Sequence, residues 1–235
     1  MADVKRLDAM GREVSFEELA ERFRGHELLS WLMGNRTLVD EEPRPRLIEG
    51  SLHVDHDLET GSGPWVLVID GDLVTTGDVK FTTGDYATSS LLVTGQLRAR
   101  NVRYMSSARV AVDGDLVASG VVVGTGGDSE ANLGTSGTLT ALAVLLDAHT
   151  SIWATGGGKS SIQEAFRTLI VGGRAWQEFT QDVDVSALKL HEATFVPEVL
   201  DVDILDVDKA MVRARAGLGP FLPEVERALK AKRGL

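Results

Sequence analysis

Between Ala154 and Phe166 the chain reads ATGGGKSSIQEAF, and a glycine run followed by Lys159 and Ser160 suggests a phosphate-binding loop. Such a loop follows GxxxxGK[ST], in which the first glycine allows the tight turn that wraps backbone amides around phosphate. Counting back from Gly158 puts Trp153 in that place, and no alternating strand–helix pattern surrounds the stretch. The expectation is a glycine-rich connection without a nucleotide. GTGGDSEAN, Gly124 to Asn132, is a second glycine-rich loop, but no helical pattern follows it to supply an anion site.

HVDHD places His53, Asp55, His56 and Asp57 together, at spacings that match no zinc pattern. DVDILDVD, with Asp201, Asp203, Asp206 and Asp208, lacks the glycine and distal glutamate of a calcium loop. It reads as a one-sided strand entering an Asp-capped helix. Asp70/Asp72 and Asp113/Asp115 have the residue types of a glycosidase acid–base pair. They recur two repeats apart, which on adjacent stacked strands is about 10 Å, wide for two carboxyl groups working on one bond. No catalytic, cofactor or metal site is therefore expected, and a β-helix carbohydrate-active enzyme stands as an alternative.

These residues are positioned by a repeat. RLIEGSLHV, LVIDGDLVT, LLVTGQLRA, VAVDGDLVA and LGTSGTLTA align on Gly50, Gly71, Gly95, Gly114 and Gly137, with spacings of 21, 24, 19 and 23 residues. A period near twenty is the mark of a solenoid. Two residues after each glycine stand Leu52, Leu73, Leu97, Leu116 and Leu139; two before stand Ile48, Ile69, Val93, Val112 and Thr135. Side chains alternate across a strand, so these even offsets share one inward face. The flanking positions are polar throughout and are expected to face water. The glycine itself falls in the inward column, where backbone must bend or approach backbone closely. The fold expected is mainly β, a parallel β-solenoid of five to six turns. Ile152, Ala154 and Gly156 begin a sixth turn that lacks its leucine, since Gly158 takes that place.

Outside the repeat the period becomes helical. Ser15 with Glu18 forms a capping box ahead of a stripe of Phe16, Leu19, Ala20 and Phe23. At the other end DVDKAMVRARAGLG stops at Gly217, and PEVERALKAKRG orders its charges to suit the helix dipole. Amphipathic helices are expected to cap both raw ends of the solenoid, because uncovered strand edges invite stacking. The organisation expected is a helical cap over 1–45, solenoid over 46–157, an irregular segment with additional strands over 158–205, and a helical segment over 206–235. VDVSALKLHEATF and VPEVLDVDIL alternate and supply those additional strands.

Val74 and Val117 fall at outward positions beside Arg98 and Arg100, with Arg103 and Arg109 close in sequence. Apolar side chains with arginines form the chemistry of a contact surface. Val74, Arg98, Arg100 and Val117 are accordingly the protein-binding residues expected, unless the chain's own C-terminal segment covers them. A net charge of -11 argues against nucleic acid and anionic membranes and favours a basic protein partner. No cysteine is present, MADVKRLDAMGREVSF has no apolar signal core, and no stretch reaches transmembrane length, so a cytoplasmic protein is expected.

The GDL pivots within VIDGDLVTTGDV and VAVDGDLVASGVVVG resemble bactofilin-like, polymer-forming bacterial β-helix proteins, over about Gly50 to Leu146. That resemblance implies a cytoskeletal polymer joined end to end. The chain departs from it in turns of unequal length and in helical ends, so filaments are not expected while those ends are present. Similar GDL-repeat solenoids also look like bacterial immunity proteins, which implies an acidic, non-enzymatic scaffold that holds another protein.

Overall fold

The computed structural model describes residues 4–33, 43–84, 87, 89–127, 130–147, 149–158, 166–172, 194–201 and 204–233. The chain opens with β1 (Val4–Arg6), one 3-10 turn (Leu7–Ala9) and β2 (Arg12–Glu13), then α1 (Phe16–Arg22) and α2 (Glu27–Met33). Four three-strand turns follow: β3 (Pro45–Glu49), β4 (Leu52–Val54), β5 (Asp57–Glu59); β6 (Val66–Asp70), β7 (Leu73–Thr75), β8 (Val79–Phe81); β9 (Ser89–Val93), β10 (Leu97–Ala99), β11 (Val102–Met105); and β12 (Ala108–Val112), β13 (Leu116–Ala118), β14 (Val121–Thr125). In the fifth, β15 (Ala131–Thr135) precedes β16 (Leu139–Leu146), which runs through the corner between the second and third columns. A sixth consists of β17 (Thr150–Ala154) and β18 (Phe166–Gly172), and β19 (Leu200–Asp201), β20 (Ile204–Leu205), α3 (Val207–Arg215) and α4 (Pro223–Arg233) complete the chain.

All strands from β3 to β18 pair in parallel with the next turn, which makes the parallel β-solenoid. Leu97 stands directly against Leu73 and Leu116, and Leu116 against Leu139; all four are fully buried in one continuous core. The sixth turn continues this column. Phe166 takes the register place opposite Leu139, the place that Gly158 was expected to fill. Lys159 and Ser160 lie outside the described residues.

The pivot glycines stack as one column of backbone. Gly95 N–H donates to Gly71 O (2.9 Å), Gly114 to Gly95 (2.8 Å), Gly137 to Gly114 (3.2 Å) and Gly156 to Gly137 (3.0 Å). A Cβ on Gly114 would sit 2.8 Å from the Gly95 carbonyl oxygen, inside contact distance. Only glycine lets the turns close up at this corner. The residue after each pivot faces outward, but its side chain lies along the stack instead of simply being solvated. Ser51 Oγ accepts from Asp72 N–H (2.9 Å), Asp72 Oδ1 from Gln96 N–H (2.9 Å) and Asp115 Oδ1 from Thr138 N–H (2.7 Å).

The terminal helices form, though their packing lies along the flanks and not over the ends. Ser15 Oγ accepts from Glu18 N–H (3.1 Å), as the capping box requires, and Gly25 at φ 81° separates α1 from α2. Leu19 and Leu29 pack on the outward side of the first strand column, against Val66, Val68, Leu92 and Ala111. Ala210, Met211 and Ala214 of α3 pack on the outward side of the third column, with Val121, Val123, Ala143 and Leu145. The reason is that strands such as β6 in the first column and β14 and β16 in the third are apolar on both sides and need cover on the outer face. By contrast, β5, β8 and β11 turn Glu59, Lys80 and Arg103 outward. Runs such as VLVI and ALAVLL carry this information, and a reading restricted to even offsets passes over it.

At the N-terminal end the cover is strand and not helix. β1 pairs parallel with β5, β2 pairs antiparallel with β3, and Leu7 between them is fully buried in the solenoid core. Val183 to Ala193, within the expected extra strand, lie outside the described residues, whereas β19 and β20 form a short antiparallel pair. Asp206 caps α3 as expected, its Oδ1 accepting from Asp208 and Lys209 N–H (3.0 Å each).

Candidate protein-binding face

The second column consists of the three-residue strands β4, β7, β10 and β13 and the start of β16. Its strands are short because a glycine corner precedes each and a buried polar corner follows. That second corner is a ladder at which Asp57 Oδ1 accepts from Asp78 N–H (2.9 Å), Asp78 Oδ1 accepts from Asn101 Nδ2 (2.8 Å), and Asn101 Oδ1 accepts from Val121 N–H (3.0 Å). Asp57, Asp78 and Asn101 are all buried. Motif reading named Asp57 only as one metal-capable residue of HVDHD and passed over Asp78 and Asn101. The signal that could have found them is recurrence, since they stand seven, seven and six residues after their pivots.

Buried carboxylates require compensation. Arg100 Nε donates to Asp78 (2.8 Å) and its Nη2 lies 3.7 Å from Asp57, while Arg215 of α3 lies 3.6 Å from Asp57 and 3.5 Å from Asp78. The hydrogen bond to Asp78 raises the Arg100 guanidinium above its ordinary value. Arg103 pairs with Asp208 of α3. Arg215 and Arg103 therefore hold α3 against the solenoid, and Arg100 pairs within the solenoid itself. Arg109 lies elsewhere, on β12 between Ser90 and Asn132, where burial lowers its pKa. The arginines that are close in sequence are dispersed over three faces.

What remains on the outward side of the second column is one row in direct register: His53, Val74, Arg98, Val117 and Thr140. His53 and Arg98 are exposed, whereas Val74, Val117 and Thr140 are half-buried. The apolar clusters built by the helices include no residue of β4, β7, β10 or β13. Of the four residues expected at the contact surface, Val74, Arg98 and Val117 thus come together, and Arg100 turns into the corner cluster.

Arg98 is held in place. Its Nε donates to Gln96 Oε1 (2.7 Å), and Gln96 Nε2 donates to Asp72 Oδ2 (3.1 Å). The Gln96 backbone N–H, with help from its side-chain amide, keeps the Asp72 carboxyl below the usual carboxylate range. Asp55, Asp72 and Asp115 surround the row with negative charge.

The carboxylates considered for glycoside chemistry are engaged structurally. Asp70 Oδ2 accepts from Arg22 Nη2 of α1 (2.6 Å), Asp113 Oδ2 lies 3.2 Å from His26 Nε2, and Asp72 and Asp115 accept backbone amides. Within HVDHD, His56 Nδ1 lies 3.3 Å from Asp55, and Asp57 belongs to the corner ladder. Among the described residues no group of three or more metal-capable side chains is placed to hold an ion, and no helix is long and apolar enough to cross a membrane. Compared with known proteins, the chain matches no family model, no curated sequence and no solved structure.

Proposed function

We propose that this protein is a non-enzymatic scaffold whose second strand column holds a protein partner, most simply a basic one, in the manner of an immunity or antitoxin protein. One observation carries the reading. Two of the three lateral faces carry apolar outward residues that lie under the chain's own helices, while the third keeps Val74, Arg98 and Val117 in none of those clusters. The acidic rim and the net charge of -11 would speed association with a basic partner, and affinity would rest on the row that the partner covers. A cytoplasmic location is part of the proposal, and a chain without cysteine needs no oxidising compartment to fold.

The end-to-end polymer has less support, because β1 and β2 already pair with the first-turn strands β5 and β3. The test is capture of partners from the native cell, repeated with Val117→Glu and Arg98→Glu. One basic protein retained by the wild type and lost by both variants is the expected result. Retention by both variants would reject the face, and turnover of a sugar that depends on Asp70 or Asp113 would restore the enzyme reading.

A further inference from the structure

Resting on that reading of the face, we infer that its occupant is a single helix of the partner, laid along the solenoid axis, with a carboxylate seated on Arg98 between two apolar side chains.

The width of the face points to one helix. Strands of three residues present a strip about 10 Å across, and a helix with its side chains is about 10–12 Å in diameter. The third column shows the same fit within this chain: its short strands β5, β8 and β11 lie by one helix, α3, whose Arg215 reaches Asp57 and Asp78 and whose Asp208 pairs with Arg103. Along the axis, Val74, Arg98 and Val117 lie one strand apart, about 4.8 Å per step. Helical side chains at i, i+4 and i+8 recur at about 5–6 Å, so apolar, acidic and apolar residues at that spacing meet Val, Arg and Val in order. The full row from His53 to Thr140 covers four such steps, about 19 Å, or roughly thirteen helical residues.

The carboxylate follows from how Arg98 is anchored. Nε is committed to Gln96, and Gln96 is itself anchored to Asp72. Among the described residues, Arg98 forms no salt bridge, although its charge already acts on Asp72; its side chain is exposed, and its guanidinium offers a planar fork that matches a carboxylate. Asp55, Asp72 and Asp115 to the sides favour lysine or arginine on the flanks of the same helix, consistent with a partner that is basic overall.

The probe is a sixteen-residue synthetic helix with Leu, Glu and Leu at i, i+4 and i+8 and lysines on its flanks, compared with the same peptide carrying Gln for Glu. Binding is measured by fluorescence anisotropy, and the Arg98 Nε–H resonance is followed by NMR. The Glu peptide should bind the full chain roughly tenfold more tightly than the Gln peptide. Arg98→Leu should reduce that preference to less than about twofold, and Gln96→Leu should leave it in between, because the fork is then no longer oriented. Equal binding of the two peptides to the wild type, or a preference that survives Arg98→Leu, overturns the inference. If the peptides bind alike while Val117→Glu still loses the natural partner, the face stands and the carboxylate seat falls. Peptide binding that is indifferent to Val117→Glu rejects both. Self-association of the wild type in the ultracentrifuge that is abolished by Val117→Glu would place a second copy on the face, overturning the partner helix. Thermal melts of each variant confirm that it is folded.

Discussion

The first and third strand columns and the second are built from the same turns, yet their outward rows face opposite demands. Val66, Val68, Leu92 and Ala111 on one flank, and Val121, Val123, Ala143 and Leu145 on the other, are buried under helices. The second column presents His53, Val74, Arg98, Val117 and Thr140, a mixture that water tolerates and a partner can still use. In a solenoid, inward residues must satisfy the stack and outward residues are free to differ. The outward rows therefore divide stability from recognition.

Substitutions can test that division, and the inward control should have the largest effect. Leu97→Asp sets an unpaired charge between Leu73 and Leu116 and should cost more than about 4 kcal/mol, abolishing the cooperative melt. A melt like the wild type would mean that the register is wrong. Next comes the outward pair. Leu145→Ala on the covered flank should cost about 2–4 kcal/mol, whereas Val117→Ala on the second column should cost less than about 1 kcal/mol. Equal costs in chemical denaturation would erase the distinction between the faces.

Smaller effects sharpen it. Asp206→Ala removes the cap of α3 and should cost about 1 kcal/mol, seen as faster amide exchange in α3 with the second column unchanged. Acid should act in the same direction. Backbone hydrogen bonds from Lys209 lower Asp206 below its ordinary 3.8, and Arg12 and Arg22 lower Glu49 below its ordinary 4.5. Carboxyl groups lowered in the folded state stabilise it fully above their ordinary values, and that contribution is lost as pH falls through the folded ones. Attachment of α3, which Asp206 caps, should thus be constant from pH 8 to 5 and weaken below about pH 4, which hydrogen exchange in α3 at several pH values would reveal. Loosening on raising the pH from 5 to 8 would contradict this sign.

Much of the solenoid was legible because stacking repeats the same demand at every turn. Gly71, Gly95 and Gly114 must admit the next backbone, and Leu73, Leu97 and Leu116 must fill the same layer, so one chain displays the pattern several times. The covering helices were legible as helices, but not in their destination. Apolar stripes on α1 and α3 say that something must be covered, and only the doubly apolar strands say what. At the candidate face, Val74, Arg98 and Val117 could be placed by counting from the pivot. Arg100 could not, because its direction depends on Asp57 and Asp78 at a corner whose spacing varies by a residue.

The N-terminal helices have one further consequence. Through Arg22 they grip Glu49 and Asp70 in the first two turns, and His26 reaches Asp113 in the fourth. That span works as a ruler laid along the stack. Duplicating a turn, the easiest way for a repeat protein to lengthen, would carry Asp113 about 4.8 Å beyond His26 while leaving the first grip unchanged. The distance between those grips fixes how many turns fit between them, and so limits growth in a fold whose strands could otherwise be added without end.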